Sequence, residues 1–415
     1  MPTNLRAVSS ASHLDEWMVR DINALAFLHI EKNFSARGRA NFYSGGPVFR
    51  TILIGVFTLA HLYVFWRTAS VPFVSRHISK KLLVGVCVVL WAGFFFALFF
   101  GRGGSGALAA TLELLGMNWL GILFLAFVSF LAIDIITGFG LFFPRIAPLL
   151  RGWALGVSGV LSVIALIQGA RPPVVLNYEV RFSGFPNKMD GTVIVAMSDL
   201  HLGSLLGKQW LEARIKQVQA LQPDLVVLLG DIFEGHGEPQ RDLLPVLRGL
   251  SAPLGVWAVL GNHEFHGGHG KEMFLSNENG IHLLRNRWVE VRPGLVLAGV
   301  DDLTAERKAG HGDDPLAQAL EGRPSGVTIL LSHTPWQAER AARAGVGLML
   351  CGHTHSGQIW PFGYLVRLFY PLLEGWYEVD GMTAIVCRGT GTWGPRMRLW
   401  RPGEILRVTL RKKEK

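Results

Sequence analysis

The hydrophobic pattern of the chain changes character near residue 170. Before it, apolar residues run in long blocks; after it, they come in short runs closed by polar side chains. The blocks predict four helical spans, at roughly 51–66, 82–100, 117–137 and 152–169, each near the ~20 residues that a bilayer core requires. Leu82 to Phe100 holds no charged residue and ends in Phe94-Phe95-Phe96 and Phe99-Phe100, a composition foreign to a solvated helix face. The first span is the weakest, being short and interrupted by His61. Asp134 is the one acid inside a predicted span, which makes it a functional candidate; its place near the span end predicts a hydrated position. Upstream, Leu14, Met18, Ile22, Leu25 and Leu28 form one apolar stripe on a helix that lies on a bilayer or packs on its neighbours. No basic segment leading into a short apolar core and a small-residue cleavage site opens the chain, which argues against a cleaved signal peptide.

After Gln168, Arg171-Pro172-Pro173 forms a rigid exit and the period shortens. Buried-strand runs are predicted at Thr192 to Met197 and Asp224 to Leu229, with others ending at Leu260, Leu331 and Cys351. Helical spacing marks Gln209 to Leu221 and Pro335 to Ala344. This alternation predicts an α/β sandwich. The expected plan is an amphipathic segment over 1–47, a bundle of about four transmembrane α-helices over 48–170, a linker over 171–189 and an α/β domain, a β-sandwich flanked by helices, over 190–415.

Charge refines the picture. The net charge is +9; residues 1–170 hold 13 basic and 6 acidic side chains, and 171–415 hold 27 and 25. The surplus sits beside the apolar blocks, whereas a nucleic-acid enzyme would carry it on its catalytic half, so no nucleic-acid partner is expected. Arg67, Arg76, Lys80 and Lys81 between spans one and two, with Arg145 and Arg151 between three and four, favour a cytoplasmic face for those loops. The catalytic half then falls outside the cytoplasm, against the pull of Lys32, Arg37, Arg39 and Arg50. Cys87, Cys351 and Cys387 are too few and too scattered for a disulfide framework or a cysteine-based zinc site, and buried free thiols are expected.

Each strand run of the second half is followed at once by metal-ligand residue types. Ser198-Asp199-Leu200-His201 follows the first, Gly230-Asp231 the second, Gly261-Asn262-His263-Glu264 the third, Ser332-His333 the fourth and Gly352-His353-Thr354-His355 the fifth. Spacing by two lets alternate side chains face one side of an extended segment, so that Asp-x-His and His-x-His each deliver two ligands. One such pair is commonplace; five elements in order, each closing an apolar strand, point to a built site. Oxygen and imidazole ligands suit two divalent ions, with Mn favoured and Fe, Zn or Ni possible. A pair about 3.5 to 4 Å apart can clamp both oxygens of an in-line displacement and acidify the attacking water.

Residues 190 to 410 resemble the calcineurin-like metallophosphoesterases, especially their membrane-associated, YkuE- and YaeI-like branch. Gly352-His353-Thr354-His355-Ser356-Gly357-Gln358 and Arg388-Gly389-Thr390-Gly391-Thr392-Trp393-Gly394 carry that likeness. The resemblance implies one metal on Asp199, His201, Asp231 and His355, and the other on Asp231, Asn262, His333 and His353, with Asp231 bridging. It makes His263 the general acid or electrostatic stabiliser, a role suited to an imidazole. Glu264 is expected to orient its neighbours rather than react, and Asp302 to orient His263 or His333.

Departures narrow the class. Phosphoprotein phosphatases carry Asp-Arg-Gly and a further Arg where this chain has Glu234-Gly235 and Leu260, and purple acid phosphatases place a tyrosine where Glu234 lies. The Gly230 to Glu234 run resembles UDP-2,3-diacylglucosamine pyrophosphatases, although those have Arg at the place of His263. The leading expectation is hydrolysis of a phosphodiester or pyrophosphate bond in a phosphorylated lipid or nucleotide-linked lipid, with membrane lipids as partners. The alternatives are a general phosphodiesterase on soluble nucleotides and a non-catalytic membrane sensor or scaffold. The loop Phe265-His266-Gly267-Gly268-His269-Gly270 reads as a solvated turn. Trp360, Phe362, Tyr364, Leu365, Phe369 and Tyr370 pack in a core or interface, or dock on the bilayer.

Overall fold

A computed structural model describes residues 6–7, 47–101, 106–234, 242–265, 275, 280–304 and 314–414. The Leu14 to Leu28 stripe and the histidines His266 and His269 lie outside the described residues.

Among the described residues, five α-helices precede the main sheets: α1 Pro47–Ala69, α2 Pro72–His77, α3 Lys80–Phe96 with a wide turn over Ala97–Gly101, α4 Ala107–Ile136 and α5 Ala147–Ala170. Ser79 starts α3 by accepting a hydrogen bond from the Leu82 N–H at 3.2 Å, satisfying one of the free donors of the first turn. Among the described residues three helices are long and apolar enough to cross a membrane: α3 with its wide turn, α4 and α5. The expected first span falls in α1, which packs in the same bundle through Phe57 and Val64 but is interrupted by the buried polar groups His61 and Arg67.

The hydrated position expected for Asp134 is overturned. Its carboxylate is fully buried, 2.6 Å from Arg67 Nε and 2.8 Å from Arg151 Nη2, and it accepts from the Tyr63 hydroxyl at 2.6 Å. Two guanidinium groups stand where water would have been needed, which is how a carboxylate is tolerated inside a helix bundle. Because Arg67 ends α1, Ile136 ends α4 and Arg151 opens α5, both basic connections share the end of the bundle marked by this cluster.

Two sheets follow. The six-stranded one runs in the order β2 (Val174–Phe182), β13 (Glu404–Lys412), β3 (Val193–Met197), β4 (Leu225–Leu229), β5 (Val256–Val259) and β6 (Ile281–Leu283). The seven-stranded one runs β1 (Arg6–Ala7), β11 (Gly375–Val379), β12 (Met382–Val386), β10 (Leu348–Cys351), β9 (Val327–Leu331), β8 (Leu295–Gly299) and β7 (Arg287–Arg292). Residues 174–182, within the stretch expected as a linker, pair in parallel with β13 along their whole length. Ile194, Val227 and Leu229 meet Leu297, Ile329, Leu331 and Leu350 between the sheets. The helices α6 (Lys208–Gln219) and α7 (Leu243–Leu247) cover the outer face of the first sheet. The helices α9 (Pro315–Leu320) and α10 (Ala338–Arg343) cover that of the second. Cover on both faces is why β3, β4 and β10 are apolar at every position. Cys351 and Cys387 are buried free thiols.

The sheets are seated on the helices. Ile359, Met397 and Leu399 form one apolar cluster with Leu125 of α4 and Ala165 of α5. Around it the Arg396 N–H donates to Asn118 Oδ1 at 2.8 Å, the Trp400 N–H to Gln168 Oε1 at 2.8 Å and the Arg398 N–H to the Ala165 carbonyl at 2.9 Å. A Cβ at Gly169 would stand 2.4 Å from the Arg396 carbonyl, so only glycine lets α5 come this close.

Replacing Asp134 by alanine leaves two buried guanidinium groups facing each other. Asp134→Ala should lower stability by on the order of 3 kcal/mol, read as an earlier unfolding midpoint in detergent; an unchanged midpoint would contradict the account of this cluster.

Candidate metal centre

The loops that leave β3, β4, β5, β9 and β10 meet at one edge of the sandwich and bring the expected residues together. Ligand atoms of Asp199, His201 and His355 lie within 4.8 Å of one another, as do those of Asp231, His333 and His353. A third group within the same limit joins His201, Asp231 and His263. Asp231 thus belongs to the second trio and also faces His201 of the first.

Convergence is not achieved in the way the spacing suggests. Asp199 (φ 52°), His201 (φ 46°), Asp231 (φ 50°), His353 (φ 72°) and His355 (φ 48°) are all in the left-handed region rather than extended. Side chains separated by two converge because the backbone coils at each ligand, a conformation costing about 1–3 kcal/mol per residue that persists only where its surroundings over-determine it.

Those surroundings are visible. The buried Glu264 carboxylate, on the short helix α8 (Asn262–Phe265), accepts four backbone hydrogen bonds. Oε2 takes the N–H groups of Asp231 at 2.9 Å and Gly261 at 2.8 Å, and Oε1 those of Ile232 at 2.8 Å and Phe233 at 3.1 Å. In return Asp231 Oδ1 accepts from the His263 N–H at 2.9 Å. A Cβ at Gly261 would lie 2.2 Å from Asp231 Oδ1, so the close approach of the two loops requires glycine there. Asp199 Oδ2 accepts from the His353 N–H at 3.0 Å and from the Ser198 hydroxyl, tying the β3 loop to the β10 loop.

The imidazoles are oriented from behind. His333 Nδ1 meets the Leu229 carbonyl at 2.8 Å, His353 Nε2 the Tyr370 hydroxyl at 2.7 Å and His201 Nδ1 the Glu234 carboxylate at 2.6 Å. Their other nitrogens point inward: His353 Nδ1 is 3.1 Å from His333 Nε2, and His201 Nε2 is 3.1 Å from His355 Nε2. With the outer nitrogens of His333, His353 and His201 held from behind, inner nitrogens 3.1 Å apart need a positive charge between them, which a shared proton or a bound cation supplies. Asn262 Oδ1 is buried without a hydrogen-bond donor, as a metal-facing oxygen would be, and Asp199 Oδ1 faces His355 Nε2 at 3.3 Å. The donor set therefore fits two divalent ions.

Electrostatics agrees. Burial pushes the Asp231 carboxyl up, but His333 and His263 outweigh it and hold it well below the usual carboxylate range. Asp199 is likewise lowered against the pull of burial by His355 and His333. Burial lowers His333, yet Asp231 and Asp199 raise it well above an ordinary histidine. Burial, reinforced by His333, takes His353 down to about 3, leaving a neutral imidazole.

His263 is partly exposed at the rim, with Nε2 3.9 Å from Asp231 Oδ2 and Nδ1 3.5 Å from Glu234 Oε2. Asp302 is buried; it accepts from the Thr304 N–H at 3.0 Å and raises His333 through space. Two contributors escape the motif reading. Glu234 stands where related enzymes carry a tyrosine, and its position three residues beyond Asp231 was the available signal. Tyr370 offers no signal, because a helix separates it from His353.

Clusters of carboxylate and imidazole groups on the loop edge of a helix-flanked β-sandwich define a metal-binding class of protein. Comparison with known proteins makes this specific. Residues 192–357 match the family model described as calcineurin-like phosphoesterase. A transmembrane protein with metallophosphoesterase domain from Bos taurus is 37% identical, over 62% of this chain and 61% of that protein. An uncharacterized metallophosphoesterase from Aquifex aeolicus is 36% identical over 54% of this chain and 87% of that one. The uncharacterized metallophosphoesterase YkuE of Bacillus subtilis is 31% identical over 63% and 97%. The chain belongs to the calcineurin-like metallophosphoesterase family. It spans 61% and 62% of the length of the Bos taurus relative and its Danio rerio counterpart.

Glutamine at 264 would present one acceptor oxygen and turn an amide NH₂ toward backbone donors. Glu264→Gln should cost about 3–5 kcal/mol in denaturant unfolding and lower the bound metal per chain; wild-type unfolding with full metal content would rule out the bracing role.

Proposed function

We propose that this chain is a membrane-anchored, dinuclear-metal phosphoesterase that hydrolyses a phosphodiester or pyrophosphate bond in a lipid or lipid-linked substrate. The observation carrying the chemistry is the pair of facing imidazole pairs with Asp231 between them. In this reading Asp199, His201, Asp231 and His355 hold one ion, and Asp231, Asn262, His333 and His353 the other, with Asp231 shared. When bound, two such ions supply Lewis acidity and an acidified water for in-line attack; Mn suits this mixed oxygen and nitrogen set.

The chain's own groups do the rest. His263, at the rim beside Glu234, can hold a proton at a ring nitrogen and deliver it to the departing oxygen. Glu234 keeps His201 in the tautomer that leaves Nε2 free to face inward. Lipid as the substrate class is supported by the seating of the sandwich directly on α4 and α5, which keeps the centre close to a bilayer. The basic loops at the opposite end of the bundle favour a cytoplasmic side for that end and hence an extracytoplasmic centre.

The full chain in detergent with Mn should hydrolyse bis-p-nitrophenyl phosphate. Asp231→Asn should lose both metal and turnover, whereas His263→Ala should keep the metal and slow turnover by roughly 10²–10⁴; equal rates in all three proteins would remove the enzyme assignment. A C-terminal tag should react with impermeant reagent in intact cells, and labelling only after permeabilisation would reverse the topology.

A further inference from the structure

The helix α11 (Phe362–Phe369) follows the His353-Thr354-His355 block and buries none of its residues. With Trp360 just before it, Phe362, Tyr364, Leu365, Leu368 and Phe369 are between 40% and 67% exposed. A water-facing surface does not carry such a contiguous aromatic and aliphatic run. Its position along the bundle says what covers it. The polar bonds Asn118–Arg396 and Gln168–Trp400 mark the end of the bundle nearest the sandwich. From Asn118 to Asp134 is sixteen residues, about 24 Å of helix. From Gln168 to Arg151 is seventeen, about 26 Å. These separations fall a little short of the ~30 Å of a hydrocarbon layer, so the edges of such a layer lie near, and slightly beyond, the two levels. Phe124 lies six residues, about 9 Å, inside the Asn118 level, and its ring meets that of Phe362 at 5.8 Å. The start of α11 thus reaches into the layer itself. Exposed Trp393 and Trp400 flank the same junction, the placement aromatic side chains take at membrane interfaces.

The other end of α11 leads straight to the metal centre. Tyr370, the residue after the helix, touches His353 Nε2 and stacks on Trp336 with ring centroids 5.7 Å apart. His353 and His263 are the partly exposed imidazoles of the site, so this is its open side.

We infer that α11, with Trp360, is embedded in the boundary between headgroups and acyl chains, and that it holds the mouth of the metal centre at the bilayer surface, where an amphiphilic phosphoester presents its phosphate while its chains remain in lipid. This rests on the lipid reading above for the substrate, but not for the placement of the helix. An interfacial helix of this kind sinks its apolar face about 5–10 Å, which agrees with the depth of the Phe124 contact. Exposed Arg367 on the same helix can meet anionic headgroups.

The test uses the full chain in vesicles of phosphatidylcholine and phosphatidylglycerol. Leu365→Cys in a Cys87→Ala background, with the remaining thiols buried, carries an environment-sensitive nitrobenzoxadiazole probe; Lys188→Cys, beyond the far end of β2, carries the control. Nitroxide placed high on the acyl chains should quench the probe at 365 roughly twofold or more and leave the control unaffected. Equal quenching at both sites overturns the placement and points to a protein partner over the helix. The second arm compares turnover of a phosphodiester lipid in the vesicles with that of bis-p-nitrophenyl phosphate. Leu365→Glu combined with Leu368→Glu should lower that ratio roughly tenfold, and an unchanged ratio overturns the feeding role. A wild-type protein that cleaves only the soluble ester sinks the lipid reading and this role together, while the quenching at 365 still decides where the helix lies.

Discussion

The centre depends on a single carboxylate that need touch no metal. Glu264 gathers the N–H groups at the ends of two neighbouring strand loops and thereby fixes the distance between Asp231 and Asn262. A carboxylate is well matched to this task, because charge-assisted bonds to backbone donors are about twice as strong as neutral ones. Its burial would be costly without partners; four donors remove that cost and convert it into rigidity. Every ligand on these two loops inherits its position from this brace.

Rigidity is needed because the ligands are held against two opposing preferences. Their backbones sit in the left-handed region at five places, and their side chains crowd like groups together: imidazole against imidazole, Asp199 near Asp231. In a loose fold both would relax by moving apart. The uniformly apolar strands beneath, covered on both faces, supply the immobile floor that prevents it. Cations bound between these side chains would remove the repulsion and offset the backbone strain, returning stability at the place where the fold gives it up.

Much of this was legible in the residues. Strand runs ending in Asp199, Asp231, His333 and His353 mark the edge at which the site forms, because burial on both faces writes an unbroken apolar run and a ligand must stand where that run stops. The apolar blocks are equally plain in α3, α4 and α5. What escaped depends on contacts between distant segments. Asp134 reads as a span-end acid near water, and only Arg67 and Arg151, 67 and 17 residues away in sequence, make it a buried ion cluster. Tyr370 reaches His353 across a helix whose exposed face has no meaning until the neighbouring bundle is in place. The coiling at Asp199, His201, Asp231, His353 and His355 is held by bonds between distant loops, which a spacing of two does not encode.

The seat formed by Ile359, Met397 and Leu399 has a practical corollary for handling the protein. These side chains belong to the sandwich but are covered by Leu125 and Ala165, and backbone groups of Arg396, Arg398 and Trp400 find their acceptors on the helices. A fragment cut at the chain's exit from α5 would carry a greasy scar ringed by amides that had exchanged their acceptors for water, within the segment between β12 and β13. Self-association of such a fragment would be a property of the cut rather than of the intact molecule, and quaternary structure inferred from it would describe an artefact of truncation.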